Sequence, residues 1–154
     1  MITHIFGKLE QVDSHEITVD VNGVGYRIFV SPSTVSALPK IGESVKIFTF
    51  LNVKEDAMHL YGFTSKDERG LFKTLLSVSG IGPKGAMSIV SAFPVNQLVA
   101  AIAKGNADFI SAAQGIGRKT AQKLVVELKE KIAKLYGVAA AADSQGMFSE
   151  DPSI

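Results

Sequence analysis

Two similar segments, SGIGPKGAMSIV at residues 79–90 and QGIGRKTAQKLV at residues 114–125, decide how this chain is expected to fold. Aligned without a gap at an offset of 35 residues, they share glycine, isoleucine, glycine, lysine, alanine and a final valine. Each copy lies between two stretches with helical periodicity. Because self-similarity at a fixed spacing indicates a repeated structural unit, we predict two copies of a tight hairpin between helices.

The chemistry of each copy favours an anion site. Paired glycines permit positive φ and leave the backbone uncovered, while Ile81 or Ile116 is expected to point into the helix pair. A helix begins just beyond, so free N–H groups and the positive end of its dipole face outward. Lys84 and Lys119 follow each second glycine. The pattern predicts contacts to DNA phosphates without base readout. For a single copy, an ordinary helical hairpin remains an alternative.

Two nucleotide-binding motifs are excluded. GIGPKG matches the dinucleotide pattern G-x-G-x-x-G, but that motif must follow a strand, and the preceding LFKTLLSVS has a helical pattern. The second copy also has Thr120 in place of the third glycine. A P-loop requires glycine directly before lysine, and Arg118 intervenes.

The first 63 residues predict a β-barrel. HIFGKLEQV, HEITVDV, YRIFVS, ESVKIFTFLNV and MHLYGF have strand patterns, with NGVG as a tight turn and SPSTVSALPKIG as a turn or short helix. Five short strands favour the oligonucleotide/oligosaccharide-binding (OB) barrel. We interpret five aromatic residues as barrel core rather than stacking platforms: Tyr26, Phe29, Phe48, Phe50 and Tyr61.

Residues 64–137 predict a helical domain, so the fold class is α+β. Ser65 and Glu68 fit a capping box, and helices are expected at 83–92, 94–104, 107–113 and 118–136. Residues 138–154 are predicted to form a flexible linker or tail. The net charge is −2 over 1–63, +6 over 64–137 and −3 over 138–154. A basic block favours a polyanionic partner, although a solvated lysine-rich helical surface would give the same charge.

Composition excludes several classes of protein and of binding site. Hydrophobic residues make up 46% and charged residues 20%, which is typical of a globular protein. The chain has no cysteine, so disulfides and cysteine zinc sites are excluded. There is no signal-peptide pattern and no apolar run of about 20 residues, so we expect a cytoplasmic protein without a membrane partner. The three scattered histidines, His4, His15 and His59, predict no metal site, and we expect no cofactor.

Glu55 and Asp56 are adjacent acids in the turn KEDA, between two predicted strands. Paired acids can serve catalysis or bind metal, but a catalytic pair needs burial or a metal ion to differentiate its roles. A hairpin tip supplies neither. We therefore predict no catalytic residues here.

The tandem motifs, together with NGVGYRI and VKEDAMHLYGF in the preceding barrel, resemble the RuvA family of Holliday junction branch-migration proteins over residues 1–137. The resemblance identifies the repeats as helix-hairpin-helix motifs. It implies a non-catalytic homotetramer, or an octamer, that holds a four-way junction open. Its partners would be a RuvB-type hexameric ATPase motor and a RuvC-type resolvase, acting in recombination, DNA repair and the SOS response in the bacterial cytoplasm, at the nucleoid.

The resemblance also assigns site residues. Glu55 and Asp56 would be acidic pins at the crossover. The residues expected to bind DNA are Gly80, Gly82, Lys84, Gly115, Gly117, Arg118, Lys119 and Lys123. Family members carry a third, motor-contacting domain, and this sequence ends at Ile154 near the expected linker. Either that domain has been removed or it is not represented; for this chain alone we expect junction binding to survive and motor recruitment to be impaired.

Two other function classes remain as alternatives. A helix-hairpin-helix glycosylase needs a catalytic acid or lysine in a pocket, and a nuclease needs convergent carboxylates. After residue 117 the first acid is Glu127, on a long basic helix. An interaction module with a single-strand-binding barrel needs a basic groove, whereas this barrel has a net negative charge.

Overall fold

Two units follow one another along the chain, Met1–Arg69 and Gly70–Ile154, and each is described by itself. The structure is a computed structural model that describes the backbone of residues 1–142 and the side chains of residues 1–135.

A closed barrel forms the first unit. Its strands are β1 (His4–Val12), β2 (Glu16–Val21), β3 (Val24–Phe29), β4 (Ser44–Val53) and β5 (Met58–Phe63), and helix α1 (Pro32–Ser36) follows β3. The order around the barrel is β1-β2-β3-β5-β4. All neighbours are antiparallel except β3 and β5, which pair in parallel through Ile28 with Leu60 and Phe29 with Tyr61. The predicted five-stranded OB barrel is confirmed.

Alternate residues of each strand fill the barrel, as a period of two requires. The buried core consists of Ile5, Leu9, Ile17, Val19, Ile28, Val30, Ile47 and Leu60. Gly62 lies on β5, close to core side chains of the neighbouring strands. A Cβ at this position would lie 2.5 Å from Ile28 Cγ2 and 2.6 Å from Ile47 Cγ2, closer than carbon atoms approach. The absence of a side chain on Gly62 therefore allows the strands to close around these two isoleucines.

The aromatic residues are divided between two faces, which corrects the prediction that all five are core. Tyr26 packs against the core, but the other four are half-buried at positions that alternate with core residues: Phe29, Phe48, Phe50 and Tyr61. On this outer face, the Phe29 ring contacts His59 and Tyr61 at centroid distances of 5.2 and 5.7 Å. The prediction was wrong because both faces of β4 and β5 carry apolar residues, so the pattern could not show which face points inward.

Helix α2 (Lys66–Leu76) begins with the predicted capping residues. Ser65 Oγ accepts a hydrogen bond from the Glu68 amide at 3.2 Å. The Glu68 carboxylate accepts from the Thr64 amide at 3.2 Å, one residue further back than a standard capping box requires. Buried Arg69 donates to the Thr3 carbonyl at 2.6 Å and lies over the Phe48 ring, 5.6 Å from its centroid. The first turn of α2 is thereby joined to the barrel.

The helical unit continues with α3 (Pro83–Ala92), α4 (Val95–Lys104), α5 (Ala107–Ile110) and α6 (Arg118–Ala142). Helix α5 ends before the predicted residue 113, because three tight turns follow it. Helix α6 is described as far as Ala142, past the predicted end at 136, since its alanines favour helix. The rest of the predicted tail, 143–154, lies outside the described residues. The largest fully buried side chains of this unit are Phe72, Leu71, Leu75, Ile89, Leu98, Ile102 and Ile110.

Glu68 should make stability depend on pH. Burial raises the pKa of its carboxyl above the ordinary 4.5, while hydrogen bonds from Thr64 partly oppose the shift. The folded state therefore holds this proton more tightly than the unfolded state, and stability falls as pH rises through the raised pKa. We expect Glu68→Gln, which keeps an acceptor for Thr64, to gain stability relative to the wild type as pH rises from below 4.5. Urea unfolding from pH 4 to 8 measures this difference, and a difference independent of pH would contradict it.

Candidate nucleic-acid interface

The two glycine hairpins have the same backbone geometry. Gly80 and Gly115 adopt left-handed φ values of 92° and 81°, which glycine reaches without strain. The next amide closes the turn in both copies. Ile81 N donates to the Val78 carbonyl and Ile116 N to the Ala113 carbonyl, each at 3.1 Å. The sequence repeat is therefore a structural repeat.

Each hairpin leads directly into a helix. The Gly82 carbonyl accepts from Ala86 N at 2.9 Å and the Gly117 carbonyl from Ala121 N at 3.0 Å, which are the first helical bonds of α3 and α6. No side chain caps α3 at Gly82. The first amides of a helix lack partners within that helix, and here they adjoin backbone without side chains. Both helix starts can accept an anion.

A buried isoleucine supports each hairpin. Ile81 and Ile116 are 7% and 8% exposed, as predicted. A Cβ built on Gly85 would lie 3.7 Å from Ile81 Cγ2 and 3.6 Å from Ile116 Cδ1, so the two isoleucine side chains converge on the same point beside this glycine. In contrast, a Cβ on any of the four hairpin glycines, at 80, 82, 115 and 117, would have open space within 4 Å. The two isoleucine side chains, which we call the anchors, are buried, and no other atoms of the described residues cover the outward side of the hairpin glycines.

The predicted cations differ in their surroundings. Lys84 and Lys119 are exposed, and neither forms an ion pair within the described part of the chain. Arg118 Nη2 lies 2.9 Å from Asp108 Oδ1, with both side chains about 70% exposed. An exposed pair of this kind contributes about 0–1 kcal/mol, so a phosphate can replace Asp108 at little cost.

Lys123 has a specific partner that sequence analysis missed. Its Nζ donates to Ser79 Oγ at 2.6 Å, so it contacts the first hairpin from the helix of the second. Ser88 Oγ on α3 donates to the Gln114 carbonyl at 2.5 Å. The gapless alignment of the repeats gives these residues equivalent positions, but it does not show that they bond to one another.

Glu55 and Asp56 lie apart from the hairpins in sequence and belong to the barrel unit. They are exposed in a four-residue loop between the paired residues Val53 and Met58, closed by Lys54 N donating to the Ala57 carbonyl at 2.7 Å. The predicted hairpin tip is confirmed. Across the described residues, no group of three or more histidine or acidic side chains is arranged to hold a metal ion.

Comparison with known proteins gives one family for both units. Residues 1–62 match the RuvA N terminal domain, and residues 72–130 match the SAM-like helix-hairpin-helix tandem. The Holliday junction branch migration complex subunit RuvA of Acetivibrio thermocellus is 45% identical over 146 residues, which are 95% of this chain and 72% of that protein.

The chain belongs to the RuvA family.

Two further RuvA proteins show how far the similarity extends. The Flavobacterium psychrophilum protein is 42% identical over 154 residues, covering 100% of this chain and 79% of its own length. The Neisseria meningitidis serogroup C protein is 42% identical over 153 residues, which cover 99% of this chain and 76% of that protein. The family inferred from the residues is confirmed, with both hairpins inside the matched tandem.

The two glycines of a RuvA hairpin should respond differently to a methyl group. Gly80→Ala places a side chain at φ 92° and should lower the free energy of unfolding by about 1–2 kcal/mol. Gly82 has φ −95° and open space around it, so Gly82→Ala should change stability little. Urea unfolding of both variants measures the contrast. Equal losses would show that the hairpin geometry described for Gly80 is wrong.

Proposed function

We propose that this RuvA family member is a non-catalytic, DNA-binding subunit that holds four-way junctions open as a homotetramer during branch migration. One observation carries the proposal. Each of the two matched hairpins has glycine backbone that no side chain covers, a helix start whose first amides are available to an anion, and an exposed lysine without an ion pair among the described residues. Relatives named as Holliday junction branch migration complex subunits support the junction as the DNA form.

Binding by the hairpins would be independent of sequence. Amides at the starts of α3 and α6 would donate to phosphate oxygens, and the positive ends of the helices favour that negative charge. Lys84 and Lys119 would add charge-assisted contacts, and Arg118 would exchange Asp108 for phosphate. Such contacts fix the backbone of a duplex arm but carry no base information. During branch migration the base sequence at the junction changes, so a subunit that stays bound there must bind all sequences with similar affinity.

The acidic hairpin would act by repulsion. In a tetramer, four copies of Glu55 and Asp56 would gather eight carboxylates near the crossover. One carboxylate and one phosphate at about 4 Å repel by about 1 kcal/mol in water and about 4 kcal/mol near a protein surface. Phosphates would be kept from the centre, so separated strands would be favoured over a continuous duplex. Because this role needs only exposed charge, it requires neither a buried acid nor a metal ion.

Other components would supply the chemistry. Branch migration requires ATP hydrolysis, and we assign this to a RuvB-type hexameric motor, with a RuvC-type resolvase cutting the junction. This chain would then need no cofactor. We place its activity in recombination, DNA repair and the SOS response, in the bacterial cytoplasm at the nucleoid.

Lysine substitutions test the phosphate contacts. We expect Lys84→Met and Lys119→Met each to weaken junction binding and to reduce the slope of log affinity against log salt by about 0.9 for each phosphate that is no longer neutralised. Lys134→Met is the matched control, because it removes the same charge about 22 Å further along α6 from Lys119. Gel shifts over a salt series, with junction and linear duplex, measure both effects.

The outcomes separate the function classes. Equal affinity for junction and duplex would contradict the junction assignment, and unchanged slopes in both lysine variants would contradict the hairpins as the DNA site. Cleavage of junction DNA in Mg²⁺ would favour a nuclease. Light scattering gives the mass of the assembly, and a monomer would exclude the tetrameric mechanism.

Neutralising the acidic hairpin tests repulsion. We expect Glu55→Gln with Asp56→Asn to bind junctions as tightly as the wild type or more tightly, and to discriminate less against linear duplex. Lys54 and the loop bond from Lys54 N to Ala57 are retained, so the hairpin should keep its shape. Competition gel shifts measure the ratio of the two affinities. If that ratio is unchanged, the two acids are simply solvated.

A further inference from the structure

The two helix-hairpin-helix motifs bond to each other through equivalent positions. In the aligned repeats, Ser79 and Gln114 are the first residues, and Ser88 and Lys123 are the tenth. Lys123 Nζ donates to Ser79 Oγ at 2.6 Å, and Ser88 Oγ donates to the Gln114 carbonyl at 2.5 Å. The tenth residue of each copy is thus bonded to the first residue of the other. We call this pair of hydrogen bonds the reciprocal clasp.

The clasp holds the entry to each glycine hairpin. Ser79 immediately precedes Gly80, and Gln114 immediately precedes Gly115, so each bond holds the chain just before the left-handed turn. The helix that supplies the partner follows the opposite hairpin. The side chains of the two anchoring isoleucines also converge beside Gly85, each within 3.7 Å of the position that a Cβ would occupy there. Two hydrogen bonds and two buried side chains that converge on one point therefore link the hairpins.

We propose that the reciprocal clasp sets the distance between the two phosphate sites, and that Ser88 and Lys123 are positioning residues for DNA binding. This rests on the proposed function. Two sites at a fixed spacing bind one DNA molecule with a high effective concentration, because the second contact becomes intramolecular. A loosened spacing lowers affinity although every phosphate ligand is retained. Lys123 acts through Ser79 on the first hairpin rather than as a phosphate ligand.

Ser88→Ala is the most direct test, since it removes one clasp bond without changing charge. We expect junction affinity to fall about two- to tenfold, the range for removing one hydrogen bond, with an unchanged salt slope. Ser91→Ala is the matched control, because Ser91 Oγ donates to the Ser88 carbonyl within α3 at 3.2 Å, and among the described residues it has no bond to the second motif. Wild-type affinity in Ser88→Ala, or an equal loss in Ser91→Ala, would overturn the proposal.

A double-mutant cycle tests the positioning role of Lys123. It compares Ser79→Ala, Lys123→Met and the double variant with the wild type. If Lys123 positions Ser79, the double variant should bind no more weakly than Lys123→Met, and the salt slope should stay within a few tenths of the wild type. Independent losses that multiply, with a slope reduced by about 0.9, would make Lys123 a phosphate ligand instead and overturn its positioning role.

A distance measurement distinguishes failure of this inference from failure of the proposed function. The chain has no cysteine, so Lys84→Cys with Lys119→Cys allows one spin label on each motif. Pulsed electron resonance of the labelled protein without DNA gives the distribution of distances between the motifs. We expect Ser88→Ala to broaden it and Ser91→Ala to leave it unchanged. An unchanged distribution in Ser88→Ala would reject the clasp whether or not the protein binds junctions.

Discussion

Burial of one isoleucine in each glycine hairpin is the constraint on which the open backbone of both hairpins depends. A helix start that stays open to an anion cannot be covered by its own side chains, so its position must be fixed from beneath. Ile81 and Ile116 supply that support, at 7% and 8% exposure, while the flanking glycines leave the backbone bare. An apolar side chain between two glycines thus has two structural effects. It anchors the turn, and it leaves the amides of α3 and α6 available to a ligand.

The barrel segment and the helical segment differ in the sign of their net charge. The helical segment 64–137 has a net charge of +6 and carries the lysines beside the hairpins, whereas 1–63 has a net charge of −2 and carries the exposed Glu55 and Asp56. In the proposed function, attraction of phosphates and repulsion of phosphates would therefore belong to different units of the chain. Phosphate contacts on their own would bind any duplex. Under the proposed function, the acidic loop would supply the missing selectivity, because it would penalise a continuous backbone more than separated strands.

Local rules predicted most elements. Helix α3 begins at Pro83 and α6 at Arg118, as expected, since glycine hairpins end one helix and permit the next. Strand β5 occupies the predicted residues, because its period of two lies between clear turns. The aromatic residues were harder to place. Phe29 and Tyr61 lie on the outer face, since a strand that is apolar on both faces does not show which face points inward. The partner of Lys123 was not predictable either, because Ser79 is 44 residues away in sequence.

The sequence by itself determined the order of elements, the two hairpins, their anchors and the family, because glycine, isoleucine and periodic apolar residues act through local geometry and burial. Only the tertiary structure decided which groups meet. It paired Arg118 with Asp108, closed the barrel around Gly62 and bonded each helix-hairpin-helix motif to the other through Ser79, Ser88, Gln114 and Lys123. These contacts depend on how helices and strands pack across long separations. Spacing along the chain does not encode that packing, because many residues of the same type could have been brought together instead.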